Sequence, residues 1–304
     1  MTRIHIVERG VISEKEREWV VHLLDECYNR MGSLSPPMVE LNIYKSSSAM
    51  DASLNREKAA LGVETGGADS TFLATHEAWR GIPRITVCIE RMKAEPRIVA
   101  QAAVRHEAGH SAIHGSPEFY VLPLPIALLE ASEIFPFFSR VSQVSSYLIF
   151  TAVKDYEVTR LLHMLGYIKD QAAFARRFSK PSEEDYLAAH LAGRTREATA
   201  LLCASWLKNV SCLPPFLGDL GYSRRATRWL TEASGTLPRS LRPRLTGVVK
   251  NHFPQLQDDT FQNIQSLAQV FKEEILSEVW ADTRSEKAEV GQGEARGSTE
   301  DQRS

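Results

Sequence analysis

Little in this chain marks a special class of protein, and each absence removes one. Its four cysteines, Cys27, Cys88, Cys203 and Cys212, include no Cys-x-x-Cys pair, so neither a zinc knuckle nor a disulfide framework is expected. They read as reduced, small apolar side chains. Net charge is only −2, which gives no global attraction for nucleic acid or an anionic membrane. The longest apolar run, Phe119 to Leu129, is too short to span a bilayer and contains Pro123 and Pro125. The opening residues, Met1 to Gly10, alternate like a short strand and carry no secretory signal pattern. Internal repeats, a phosphate-binding loop and a dinucleotide fingerprint are all missing. What remains is a globular chain, expected to be cytoplasmic, whose sequence leaves its oligomeric state open. Its 304 residues, 43% apolar and 24% charged, suit one large or two modest domains with a real core.

Against this background one pentapeptide stands out, His106-Glu107-Ala108-Gly109-His110. Residues four apart on an α-helix share a face, so both imidazoles can converge on one ion. Glu107 comes off about 100° further round and can lean over the ion's open side. The residue types suit hydrolysis. Zinc binds neutral imidazole, a catalytic zinc site keeps one position for water, and a carboxylate within reach can take that water's proton. Glu95-Pro96 supplies a helix start, and Gly115 with Pro117 a stop. Val99, Ala102, Ala103, His106, Gly109, His110 and Ile113 recur at helical spacing, which turns both histidines inward. The small residues Ala100, Ala102, Ala103, Ala108, Gly109 and Ala112 allow close approach of other elements.

This segment resembles the active-site helix of the zincin metallopeptidases, which carry His-Glu-x-x-His with the histidines as zinc ligands and the glutamate as base. The likeness covers mainly residues 71 to 165. It implies one Zn2+ per chain on His106 and His110, Glu107 as general base and acid, and a peptide or protein substrate. The metzincin subgroup has a third histidine six residues past the second, where this chain has Ser116. His114 is instead four past, either an auxiliary group or a histidine stabilised by the helix C-terminus.

The resemblance therefore points to the gluzincin pattern, whose third ligand is an acid on a later helix. The stretch from Ser146 to Leu165 reads as that helix and offers two acids, Asp155 and Glu157. At about 100° per residue, Phe150, Val153, Leu161, Met164 and Ile168 fall within about 40° of Glu157. A carboxylate in an apolar stripe needs a partner. Glu157 is accordingly the expected third ligand, with an ion pair to Arg160 or Lys154 as the other reading. Asp155, about 160° away beside Leu148, Ala152, Thr159 and Leu162, is the alternative ligand. Leu161 stands where that family often has an aspartate, so the outer partner of the histidines is unassigned.

The expected fold is α+β and zincin-like: a small mixed sheet packed on the His-Glu-x-x-His helix, followed by a mostly helical C-terminal part. Boundaries fall at residues 1–180, 181–280 and a disordered polar tail, 281–304. Ser13 and Glu16 form a capping box for a helix whose apolar face is Trp19, Val20, Leu23, Leu24 and Cys27. Met38–Tyr44 reads as a strand, and Lys45 to Ser70 as a flap or disordered insertion with a short helix at Leu54–Leu61. Thr71–Thr75 and Arg84–Ile89 read as a hairpin whose turn holds His76 and Glu77; its first strand is a candidate edge for an extended peptide. Donors for an oxyanion include Tyr120, Tyr147, Tyr156, Tyr167, His163, His190 and Tyr222. The basic segment from Arg224 to Lys250 reads as a solvated face plus loop, with an acidic or nucleic-acid partner as the other possibility. Two further functions stay open: a catalytically silent zincin-fold protein serving as a binding or regulatory module, and a zinc hydrolase acting on bonds other than peptides.

Overall fold

The computed structural model describes residues 2–60 and 72–281. The chain is α+β, a small mixed sheet among many helices. The sheet contains β1 (Arg3–Arg9), β2 (Met38–Tyr44), β3 (Ala74–Glu77) and β4 (Arg84–Cys88), in the order β1-β2-β4-β3. β1, β2 and β4 run parallel, and β3 returns antiparallel along the edge of β4. Parallel neighbours need a crossover, and α1 (Glu14–Met31) supplies it between β1 and β2. The two central strands bury Val39, Leu41, Ile43, Ile85 and Val87 completely, as strands covered on both faces do.

The first strand of the hairpin, β3, sits later than its composition suggests, while β4 starts at the expected Arg84. His76 and Glu77 are strand residues, opposite Ile85 and Arg84. Glu77 forms an ion pair with Arg84 across the ladder, in keeping with this register. Gly81, at φ +89°, closes the turn with its N–H on the Ala78 carbonyl.

Local signals explain the flanking helices. In α1 the Ser13 hydroxyl accepts from Glu16 N–H while the Glu16 carboxylate accepts from Ser13 N–H, the reciprocal capping box. The α1 face of Val20, Leu23, Leu24 and Cys27 is buried. After β2 comes α2 (Ser47–Ala60), longer than the short helix expected at Leu54–Leu61; the rest of the expected flap, 61–70, and the tail 282–304 lie outside the described residues. Two further helices, α3 (Ile89–Ala94) and α4 (Arg97–Ile113), follow β4, with Pro96 at the N-cap of α4. α4 packs against α1, β3, β4 and α7 (Ile168–Ser179). Between them in sequence lie α5 (Ile126–Ile134) and α6 (Ser142–Met164). Arg105 of α4 reaches Glu26 of α1 and Asp170 of α7, each at 2.6 Å.

The chain divides into two units, each discontinuous in sequence. The first comprises the described residues up to Leu122, Lys154–Ser179 and Pro215–Ala226, and so contains the sheet, α4 and the last part of α6. The second comprises Pro123–Val153, Lys180–Pro214 and the described residues from Thr227 onward. It is helical, and its α8 (Glu183–Ala192) opens on a Ser182–Asp185 capping box after the break at Lys180–Ser182. Phe138, Leu207, Phe253 and Phe271 are fully buried in it. Within the basic segment, Arg242 donates to the carbonyls of Leu237 and Gly235, and Arg244 pairs with Glu278 at 2.7 Å. All four cysteines are free and buried. Among the described residues, no helix is long and apolar enough to cross a membrane.

Candidate metal centre

The pentapeptide lies in the last two turns of α4, where the expected helix delivers it. His106 and His110 are buried, 3% and 8% exposed. The helix stops where the sequence places the stop: His114 is the C-cap, and a side chain on Gly115 would strike the Ser111 carbonyl oxygen.

The third group comes from α6, and it is Asp155. Its Oδ1 lies 3.6 Å from His106 Nε2 and 3.2 Å from His110 Nε2. One ligand atom from each of the three residues falls within 4.8 Å of the others, a grouping that could hold a metal ion. The donor set fits zinc: two imidazoles and a carboxylate, with bonds of about 2.0–2.2 Å to a shared ion, imply donor–donor edges of about 3.4 Å in a tetrahedron. The two separations from Asp155 lie on either side of that length.

Glu157, the acid expected as third ligand, stands elsewhere. Its Oε2 is 2.9 Å from His114 Nε2, in a pair that is 4% and 0% exposed. It is buried as the apolar stripe requires, and His114 is a hydrogen-bonding partner of its carboxylate. His114 in turn places Nδ1 3.1 Å from His110 Nδ1. His114 stands at the helix end, as its C-cap, and burial keeps its pKa well below the ordinary histidine value.

Electrostatics favour the protonation states a metal needs. Burial lowers the His110 pKa to about 3, with Asp155 opposing the shift. For Asp155 burial acts to raise the pKa, but its close contacts with His106 and His110 outweigh it and hold the carboxyl well below its usual range. Neutral imidazole beside ionised carboxylate is the ligand form of both groups. Lys154, next in the chain, is lowered by burial, while Asp155, Glu107 and Glu157 pull it back up.

Glu107, the expected base, is half-buried on α4. A further pair borders the histidines. The His76 ring of β3 is stacked parallel to that of His110 with centroids 6.0 Å apart, and its Nδ1 lies 2.8 Å from the Tyr120 hydroxyl. Lys154 Nζ sits 4.7 Å above the Tyr120 ring and donates to the Phe119 carbonyl. Of the candidate oxyanion donors, Tyr120 thus reaches the cluster, whereas His163 pairs with Asp219 at 3.0 Å and Tyr147 is half-exposed at 53%. His106 packs its ring 4.7 Å from that of Phe174, and its Nδ1 is buried without a hydrogen-bond partner.

Comparison with protein-family models, curated proteins and solved structures finds no match to this chain.

Proposed function

We propose that the chain is a zinc-dependent peptidase with a zincin-like fold, one Zn2+ per chain being held by His106, His110 and Asp155. The observation that carries this reading is the convergence of the two imidazole Nε2 atoms of a buried His-Glu-x-x-His helix on one carboxylate oxygen, at 3.6 and 3.2 Å. Three protein ligands leave a fourth position open, which separates a catalytic from a structural zinc site. The third ligand in this reading is an aspartate rather than the glutamate of the gluzincin pattern.

A zinc ion there supplies Lewis acidity, making a water acidic enough to ionise near neutral pH and polarising a substrate carbonyl. The remaining work falls to the chain. Glu107 accepts the proton of the attacking water and returns it to the departing amine. His106, His110 and Asp155 fix the position of the ion and hence of the attack. β3, an edge strand of the sheet, offers main-chain groups to an extended peptide. Peptide or protein is the substrate class that the resemblance of the helix implies, and cytoplasmic placement remains part of the same proposal.

Glu107→Gln tests the reading. The variant should bind zinc at one per chain like the wild type while losing about 10²- to 10⁴-fold of its cleavage rate on a peptide library. Equal inactivity of both proteins, with zinc present in both, would favour the binding or regulatory module instead.

A further inference from the structure

Three contacts run end to end from one carboxylate to another, the first partly exposed at Asp155 and the other two buried. Asp155 Oδ1 lies 3.2 Å from His110 Nε2, His110 Nδ1 lies 3.1 Å from His114 Nδ1, and His114 Nε2 lies 2.9 Å from Glu157 Oε2. Each contact joins two atoms that can both carry lone pairs, so each needs one positive centre between them. A carboxylate brings none, and a neutral imidazole brings one N–H. Two histidines therefore supply two protons for three contacts. One contact is left with lone pairs facing each other, a costly arrangement away from water.

The geometry says where the deficit falls. The His114–Glu157 contact is the shortest of the three, and its side chains are 0% and 4% exposed, so water cannot stand in for a proton there. The proton stays on His114 Nε2 and is donated to Glu157. His114 Nδ1 is then an acceptor, which obliges His110 to donate from Nδ1. The lone pair on His110 Nε2 is left pointing at Asp155, where His106 Nε2 also converges.

We propose that His114 and Glu157 are positioning residues, a relay that locks His110 in the Nδ1–H tautomer and presents its Nε2 to a metal ion shared with Asp155 and His106. The ion is the third positive centre. This deepens the metal reading above and rests on it for the identity of that centre, though not for the tautomers. It supplies the outer partner that the sequence left unassigned: metal-bound histidine commonly donates its other N–H to an acceptor, and here a second histidine passes the demand on to a carboxylate.

Long-range ¹H–¹⁵N spectra of the imidazoles, recorded at neutral pH on metal-free and zinc-loaded protein, read the tautomers directly. The expected result is a proton on Nε2 of His114 and on Nδ1 of His110 in the wild type. Glu157→Gln keeps an oxygen acceptor and should preserve both tautomers and zinc affinity. Glu157→Ala should release them and weaken zinc about 10- to 100-fold in competition with a chromophoric chelator. A His114 proton on Nδ1 in the wild type, or a Glu157→Ala protein that binds zinc as tightly as wild type, overturns the relay while leaving the metal reading intact. Wild-type protein with the expected tautomers but no bound zinc supports the relay and overturns the metal reading.

Discussion

Gly109 and Val158 meet with no space between them: a Cβ on Gly109 would stand 2.5 Å from Val158 Cγ1. The helix that carries His106 and His110 thus lies directly on the one that carries Asp155 and Glu157. The contact sets how far apart the imidazoles and the carboxylates are held.

Gly109→Ala should therefore disturb the site although Gly109 itself binds nothing. Overpacking costs about 1–3 kcal/mol, and the better helix propensity of alanine offsets about 1 kcal/mol. A net loss of up to about 2 kcal/mol in urea unfolding is expected, together with weaker zinc binding as Asp155 is pushed away. Unchanged zinc affinity would show that the spacing of the two helices is not critical.

Arg105, one residue before His106, ties α4 to α1 and α7 through Glu26 and Asp170, and its side chain is 13% exposed against 8% for Asp170. Arg105→Met leaves the Asp170 carboxylate buried without its cation. Removing one member of a buried pair costs about 3–5 kcal/mol, which urea unfolding would measure. Adding Asp170→Asn should recover part of the loss, because the stranded charge is then gone.

Glu16 carries the acid sensitivity of the α1 start. Hydrogen bonds from Lys93, Lys45 and the Ser13 N–H hold its pKa far below the ordinary value of 4.5. A depressed folded-state pKa contributes stability above the unfolded-state value that is lost as pH falls through the folded one. Glu16→Gln should lower the melting temperature at pH 7, and its gap from wild type should narrow steadily as pH drops below about 4.5. A gap independent of pH would assign the effect to the cap alone.

Much of this architecture is legible in the sequence because it depends on local chemistry. Ser13 and Glu16 write the start of α1, Pro96 and Gly115 bracket α4, and residues 38–44 form the strand their composition suggests. The partner of Glu157 was not legible, for a physical reason. A 100° projection separates the faces of a helix only when one of them meets solvent. α6 buries Phe150, Val153 and Leu161 on the Glu157 side and Ala152, Thr159 and Leu162 on the Asp155 side, while Met164 of the supposed stripe is 69% exposed. Both acids therefore face protein, and only the packing of α6 on α4 assigns Asp155 to the first two histidines and Glu157 to the third. His76 and Tyr120 are far apart in sequence and meet through the three-dimensional placement of β3, which puts His76 in the strand rather than in the turn.

Zinc content after chelator competition, compared between Asp155→Ala and Glu157→Gln, tests the central claim most directly. If His106, His110 and Asp155 hold the ion, Asp155→Ala loses the zinc and Glu157→Gln retains it at one per chain. Zinc retained in Asp155→Ala but lost from Glu157→Gln would contradict the account.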